Sequence, residues 1–144
     1  MSNKETNLIW LDLEMTGLNV DKEVILEIAT IVTDANLNIL AIGPDLVISQ
    51  DKSRLQNMGS WCKEQHGASG LIKAVESSQV STKEAEEMTL RFLKHHVTQG
   101  KSPMCGNSIG MDRKFLEKYM PSLVHYFHYR NLDVSSIKEL VKRW

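Results

Sequence analysis

The sequence has little that would mark a secreted, membrane-bound or disulfide-stabilised protein. Its two cysteines, Cys62 and Cys105, have neither the spacing of a metal site nor the number of a disulfide framework. The start of the chain is polar and lacks the apolar run of a signal peptide, and no apolar stretch approaches the length of a membrane span. We therefore expect a cytoplasmic protein that has no membrane association.

The chain also lacks an excess of charge of either sign. It has 144 residues, with 17 Lys and Arg against 18 Asp and Glu, and a formal net charge of −1. Proteins that coat long nucleic acids neutralise many phosphates, so this balance argues against such a role. Because the sequence has no repeat, low-complexity tract or linker, its length indicates one domain over residues 1–144. Any nucleic acid that it binds is expected to be short.

The most informative feature that is present is an apolar strand pattern ending in two acids, from Leu8 to Gly17. Successive side chains of a strand alternate faces, so Asp12 and Glu14 share one face while the leucines between and before them point into a core. Two adjacent carboxylates repel each other, and burial without a partner is costly. A hard divalent cation such as Mg²⁺ removes both penalties. A metal site and a pair of solvated acids both fit this stretch.

Further patterns predict a mixed sheet. Residues 24–33 and 39–49 are typical of strands and are joined by short turns, which favours antiparallel neighbours. Residues 51–70 are expected to be helical, with Gly67 and Gly70 as stops. A capping-box pattern at Ser81 begins a long helix that runs towards Gly100.

The second informative stretch runs from Pro103 to Asp112. It predicts a short strand, a bend at Gly106, and a helix with Asp112 in its first turn. Asn107 and Ser108 in the bend are polar groups suited to phosphate or sugar oxygens. Residues beyond strand ends gather at one edge of such a sheet, so we expect Asp112 to approach the first two acids.

The remaining pattern adds a strand over 126–134 and a final helix over 137–144, capped by Ser135 or Ser136. Three strands joined by short turns are therefore followed by helices that alternate with strands. This order predicts an α/β fold with a mixed sheet, antiparallel on one side and parallel on the other, flanked by helices.

Three motifs carry a resemblance to a known family: DLEMTGL from Asp12, GNSIGMDR from Gly106, and HYRNLDVS from His128. In their order and spacing they resemble the oligoribonucleases, a branch of the DEDDh 3′-to-5′ exonucleases of ribonuclease H-like fold. The similarity extends through essentially the whole chain. It implies a homodimeric, cytoplasmic enzyme that hydrolyses short RNA, above all dinucleotides, to 5′-mononucleotides.

The resemblance also implies roles for individual residues. Asp12, Glu14 and Asp112 match three of the family's four acidic ligands for two Mg²⁺ or Mn²⁺ ions. Leu18 and Tyr129 match the side chains that sandwich the two bases, with Tyr129 supplied by the other subunit. Trp61 is implied to line the same pocket. The residues that match the family's cap on the 5′-phosphate are His66, Ser108, Arg130 and Ser135.

The family's last motif, a His-x4-Asp on a C-terminal helix, has no counterpart before Trp144. It supplies the general base and the fourth ligand, so we expect a C-terminally shortened member with weak or no hydrolysis and an exposed apolar patch. His128 and Asp133 have the same spacing. In a strand, however, five residues of separation place them on opposite faces, so His128 is not expected to serve as the base.

Two other enzymatic or binding functions fit parts of the sequence. A metal-dependent dinucleotide-binding protein without catalysis would keep the pocket and need no general base. The run from Asp12 to Thr16 is near the Asp-x-Asp-x-Thr motif of haloacid-dehalogenase-like phosphatases. That interpretation leaves the motif from Gly106 to Asp112 without a role. A purely structural α/β domain is the third alternative.

Overall fold

A computed structural model describes residues 3–144 and contains one five-stranded mixed sheet. The strands are β1 (Leu8–Met15), β2 (Ile25–Thr33), β3 (Ile39–Val47), β4 (Met104–Gly106) and β5 (Asn131–Asp133). The helices are α1 (Lys52–Gln56), α2 (Ser60–Ala68), α3 (Leu71–Ser77), α4 (Thr82–Lys94), α5 (Ile109–Tyr119), α6 (Pro121–Val124) and α7 (Val134–Val141). The order across the sheet is β3-β2-β1-β4-β5.

The pairing of the strands confirms the predicted fold class. The pairs β1–β2 and β2–β3 are antiparallel, whereas β1–β4 and β4–β5 are parallel. Strict alternation in β1 buries Ile9, Leu11 and Leu13 on one face. Helices α4 and α5 pack against that face through fully buried side chains such as Leu93 and Phe115. The acids of β1 therefore occupy the opposite face, as the alternation predicts.

A smaller apolar cluster attaches the three short helices to the end of β2. Leu26 is fully buried in it, and its other buried members are Leu55, Met58, Leu71 and Val75. The sequence pattern did not predict α3, and Gly67 lies inside α2 rather than ending it. Gly70, at φ +80°, is the residue that separates α2 from α3. A left-handed conformation of this kind is where glycine has its advantage.

The predicted N-cap of α4 at Ser81 is confirmed. The Ser81 hydroxyl accepts a hydrogen bond from the Glu84 N–H at 3.1 Å. The helix ends at Lys94 instead of continuing towards Gly100. Its last turn is followed by backbone bonds from His96 and Val97 to the Leu93 carbonyl, which close the end of the helix.

The prediction of a strand over 126–134 is wrong for most of its length, because only Asn131–Asp133 pairs with β4. Tyr126 and Phe127 are adjacent in sequence and both buried, which the alternating faces of an exposed strand do not allow. The Tyr126 hydroxyl instead donates to the Val97 carbonyl at 2.6 Å. The aromatic residues therefore form a buried turn after α6.

The final helix begins earlier than predicted. Asp133, rather than Ser135 or Ser136, is its N-cap, and its carboxylate accepts the Ser135 N–H at 2.9 Å. No residue of α7 is buried. The exposed apolar side chains at and beyond this helix are Ile137, Leu140, Val141 and Trp144, the last 89% exposed. They lie at helical spacing and form an exposed apolar face.

Within residues 3–144, no helix combines the length and the apolar character needed to cross a membrane.

Candidate active site

The two acids of β1 lie on the sheet face opposite the main core. Asp12 is exposed and Glu14 is half-buried. Their cross-strand partners in β2 are Ala29 and Glu27. The prediction that both carboxylates share one face is therefore confirmed.

Asp112 reaches the same strand from the first turn of α5. β1 pairs with β4 only at Ile9 and Trp10, so the edge of β1 beyond that point has no strand beside it. Asp112 Oδ1 accepts the N–H of Leu13 there, at 3.1 Å. Asp112 is 6% exposed, and its carboxylate is thus fixed at the residue between the two β1 acids. The predicted approach of Asp112 to the two acids of β1 is therefore found.

The electrostatics of these acids are those of a crowded group of like charges. Burial, together with the charges of Asp12 and Glu14, raises the pKa of Asp112 to about 7, although the Leu13 N–H favours the carboxylate. Burial also raises the pKa of Glu14, and the charge of the neighbouring Asp12 raises it further. The pKa of Asp12 is raised by burial as well. Desolvation disfavours each ionised acid, neighbouring acids add to this effect at Glu14 and Asp112, and His66 partly offsets it at Glu14.

Glu27 extends the acidic face onto the next strand. It lies directly across from Glu14, and Asp45 of β3 is beside it. Burial and the neighbouring Asp45, with smaller contributions from Glu14 and Asp12, raise the pKa of Glu27 to about 7. The sequence alone could not assign Glu27 a neighbour, because the register of the two strands is not encoded in the local pattern.

The donor set has the chemistry of a site for hard divalent cations. Carboxylate oxygens are the ligands that Mg²⁺ and Mn²⁺ prefer, and mutual repulsion of this kind is relieved by a cation. In residues 3–144 no three Asp, Glu, His or Cys side chains are preassembled into a complete ion-binding cluster. Asp12, Glu14 and Asp112 are therefore candidate metal ligands. They approach the same part of β1 but do not by themselves complete a coordination sphere.

A groove begins beside Glu14 and contains several of the predicted pocket residues. Leu18, Trp61, Cys62 and His66 line it, and its volume is about 340 Å³. Leu18 and Trp61 are each 69% exposed and line the same groove, and contiguous exposed apolar surface of this kind marks interaction sites. The structure thus brings Leu18, Trp61 and His66 together at the carboxyl end of β1.

His66 fastens α2 to the end of β1. Its ring is buried, and Nε2 lies 2.8 Å from the Met15 carbonyl oxygen. His66 also lines a second cavity, of about 330 Å³, together with Trp61, Glu14 and Glu27. His66 therefore fixes the position of Trp61 relative to the acids, in addition to facing the groove.

The loop that carries Leu18, residues 16–24, is held by the C-terminal end of α5. The Lys118 ammonium donates to the Val20 carbonyl at 2.8 Å, and the Tyr119 hydroxyl donates to the Glu23 carbonyl at 2.6 Å. At the other end of the same helix Asp112 contacts β1. One helix therefore positions both an acid and the loop of an apolar pocket residue.

The bend between β4 and α5 is shaped by two tight contacts. Gly106 passes so close to β1 that an added Cβ would lie 2.7 Å from the Leu11 carbonyl oxygen. Ser108 adopts a left-handed conformation at φ 52°, and its N–H donates to Asp133 Oδ1 at 2.9 Å. Asn107 lies in the same bend and lines a cavity with Asp12. Non-glycine residues held in this conformation are concentrated at functional sites.

The predicted phosphate-contacting residues fall into two places in one chain. Ser108 and Ser135 both donate to Asp133, the Ser135 hydroxyl at 2.7 Å. His66 lies across the site, at the end of β1. Asp133 has its carboxylate bound by these donors, which lower its pKa. Its role is to cap α7 and hold the bend.

Tyr129 and Arg130 lie on an exposed loop before β5. Tyr129 is 76% exposed, and its ring is 4.3 Å from the His128 ring and 5.6 Å from the Arg130 guanidinium. The Nδ1 of His128 accepts the N–H of Arg130 at 3.1 Å. No contact described for residues 3–144 joins this loop to Asp12 or Glu14.

Comparisons with known proteins show the family to which the chain belongs. The RNase_T family model, described as Exonuclease, matches residues 9–144. An oligoribonuclease of Legionella pneumophila (strain Corby) is 60% identical over 144 residues, covering 100% of this chain and 76% of that protein. An oligoribonuclease of Colwellia psychrerythraea (strain 34H / ATCC BAA-681) is 59% identical and is covered over 80% of its length.

Solved structures show the same fold at low identity. Escherichia coli exonuclease I in complex with a dT13 oligonucleotide superposes with a TM-score of 0.69 at 13% identity, covering 95% of this chain and 30% of that chain. The RNase domain of the yeast Pop2 protein gives a TM-score of 0.69 at 15% identity, covering 94% of this chain and 60% of that chain. Both similarities support the ribonuclease H-like interpretation of the sheet.

Proposed function

Because the chain belongs to the oligoribonuclease family of exonucleases, we propose that it hydrolyses short oligoribonucleotides, chiefly dinucleotides, from the 3′ end to 5′-mononucleotides. The 3′-to-5′ exoribonuclease class follows from its relatives and its exonuclease domain. The preference for dinucleotides, the metal and the residue roles are proposals that rest on the geometry of the site. Membership in this family leaves the phosphatase alternative without support.

The observation that carries the proposal is the position of Asp112 between the two acids of β1. A buried carboxylate that hydrogen-bonds Leu13 N–H is beside both Asp12 and Glu14, and all three have raised pKa values. We propose that these three residues hold Mg²⁺ or Mn²⁺, two ions in the complete site. When bound, such ions supply Lewis acidity for the attacking water and the leaving 3′-oxygen of a phosphodiester.

The groove beside Glu14 suits a nucleobase. Leu18 and Trp61 present exposed apolar surface on its walls. Stacking on such side chains contributes about 1–3 kcal/mol per base and does not depend on the base, which suits a substrate of mixed sequence. We propose that Leu18 and Trp61 hold one base next to the acids, with His66 near the phosphate.

We propose that a homodimer completes the pocket. No hydrogen bond or ring contact described for residues 3–144 joins Tyr129, Arg130 or Ser135 to His66. A second copy that places its Tyr129 loop against Leu18 would bring the two groups together. The apolar residues of α7 offer surface for such an association, since none of that helix is buried. The predicted cytoplasmic location stays a prediction.

The general base is not assigned among the described residues. His66 Nε2 is bonded to the Met15 carbonyl, and His128 Nδ1 accepts the Arg130 N–H. A missing general base lowers such rates by about 10²–10⁴-fold. We therefore propose that hydrolysis by this 144-residue chain is slow or absent, and keep metal-dependent dinucleotide binding without catalysis as the alternative.

Incubation of a 5′-labelled diribonucleotide with the chain and Mn²⁺ tests the proposal. We expect slow release of labelled mononucleotide that stops on chelation and in Asp12→Ala, because Asp12 is an exposed ligand whose loss spares the core. Chromatography of the products measures the released mononucleotide. Release that continues with chelator or in Asp12→Ala contradicts the proposal. Binding of the dinucleotide by calorimetry, without release, supports the non-catalytic alternative.

Cysteine alkylation locates the pocket independently of turnover. Cys105 is fully buried, and burial raises the pKa of its thiol to about 12, whereas Cys62 is half-buried and lines the groove. We expect iodoacetamide to modify Cys62 alone in the native protein, and a diribonucleotide with Mn²⁺ to slow this reaction. Peptide mass spectrometry identifies the modified residue. Equal rates with and without dinucleotide would place the substrate elsewhere, and denaturant should expose Cys105 as a positive control.

A further inference from the structure

One guanidinium fastens the loop that carries Tyr129. Arg113, half-buried in the first turn of α5, donates from Nε to Asn131 Oδ1 at 2.7 Å. Its Nη2 donates to the carbonyl oxygens of His128 at 3.0 Å and Arg130 at 3.2 Å. These acceptors flank Tyr129 on both sides. A planar guanidinium has five N–H donors in a fixed fork and can bind several acceptors at once. The compact ammonium of lysine does this less well.

The loop depends on these bonds because the Tyr129 side chain has little packing of its own. It is 76% exposed, and its described ring contacts are with its immediate neighbours, His128 and Arg130. The backbone is tied to the segment before β4 by bonds from His128 N–H to the Ser102 carbonyl and from Met104 N–H to the Arg130 carbonyl. The direction of Tyr129 is thus set by the backbone that Arg113 holds.

We propose that Arg113 is a positioning residue that aims Tyr129 and Arg130 at the substrate, an inference that rests on the proposed function. Arg113 follows Asp112 directly, so the same helical turn sets the position of a candidate metal ligand and of the loop. In a homodimer in which each Tyr129 enters the partner's pocket, Arg113 of one chain acts on the substrate bound to the other.

Arg113→Ala tests the proposal through two affinities measured on the same protein. Calorimetric titration with a 5′-phosphorylated diribonucleotide in Mn²⁺ should show a Kd increased by about 10-fold or more, because the guanidinium hydrogen bonds that hold the Tyr129 loop are lost. Titration with Mn²⁺ alone should show a Kd within about 2-fold of the unchanged protein. The dinucleotide Kd of Arg113→Lys should fall between those of the unchanged protein and of Arg113→Ala. The matched control is Arg91→Ala, an exposed arginine of α4, which should change neither affinity.

A double-mutant comparison separates positioning from general destabilisation. In a background of Tyr129→Ala and Arg130→Ala, adding Arg113→Ala should leave the dinucleotide Kd within about 2-fold, because the groups that it positions are gone. An equal loss in both backgrounds, or a parallel loss of Mn²⁺ affinity, overturns the proposal.

Hydrogen exchange tests the inference without a bound dinucleotide. If the unchanged protein binds no dinucleotide, that result refutes the proposed function and leaves the role of Arg113 to be decided by exchange. Arg113→Ala should speed exchange of the amides of residues 128–131 and leave those of β1 unchanged. Unchanged exchange at 128–131 would show that Arg113 does not hold the loop, and would overturn the inference by itself.

Discussion

Asp112→Asn is expected to abolish Mn²⁺ binding while preserving, or raising, the thermal stability of the metal-free protein. Asparagine keeps an oxygen that can accept the Leu13 N–H and removes a buried charge that Asp12 and Glu14 disfavour. Loss of an inner ligand should weaken Mn²⁺ by more than the about 10–100-fold typical of outer-shell partners. Calorimetric titration measures the binding, and thermal melting in chelator measures the stability.

The comparison variant is Asp112→Ala, which should lose both properties. It leaves the buried Leu13 N–H without its acceptor, at a cost of about 1–3 kcal/mol, and it also loses the ligand. Asp12→Asn, at an exposed position, should lose Mn²⁺ affinity with little change in melting temperature. Mn²⁺ binding to Asp112→Asn with the affinity of the unchanged protein would remove Asp112 from the ligand set.

Gly106→Ala is expected to destabilise the fold and weaken the site together. The added Cβ would meet the Leu11 carbonyl oxygen at 2.7 Å and Ile109 Cδ1 at 2.8 Å, so β4 and β1 must move apart. Overpacking of this kind costs about 1–3 kcal/mol, which should lower the melting temperature by about 3–10 °C. The movement separates the strand of Asp12 from the helix of Asp112. Melting curves and Mn²⁺ titration report the two effects.

Gly59→Ala is the matched control, because no atom lies within 4 Å of its added Cβ and its φ of −59° suits alanine. We expect its melting temperature and Mn²⁺ affinity to stay near those of the unchanged protein. If Gly106→Ala behaves in the same way, the close approach of β4 to β1 is not needed for the site.

The parts of the molecule that local pattern determines could be predicted from the sequence. Alternation in β1 gave the common face of Asp12 and Glu14, and the capping box gave the start of α4. The parallel and antiparallel halves of the sheet followed from the lengths of the connections. These features depend on neighbours within a few residues, for which periodicity and turn chemistry are sufficient.

The parts that depend on distant partners could not be predicted in this way. The pairing of Glu14 with Glu27 needs the strand register, and the bonds of Arg113 join α5 to a loop 15 or more residues away. The segment from Tyr126 was misinterpreted as a strand because β-branched and aromatic composition does not distinguish a buried turn from a sheet. Asp133 was missed as a cap, since its Oδ1 accepts both the N–H of Ser135 in α7 and the N–H of Ser108 in the distant bend.

Helix α5 contacts the Tyr129 loop at its first turn and the Leu18 loop at its last, through Arg113 and Tyr119 respectively. Six residues of helix separate these contacts by about 9 Å along the axis. The length of the helix therefore sets the spacing between the loop of this chain's own pocket and the loop that is proposed to enter the partner's pocket. Substitutions on its exposed side leave that spacing unchanged. Insertion of one residue would rotate the second contact by about 100° and shift it by about 1.5 Å, so a change in the length of α5 should disturb the two loops more than a change in the composition of its exposed side.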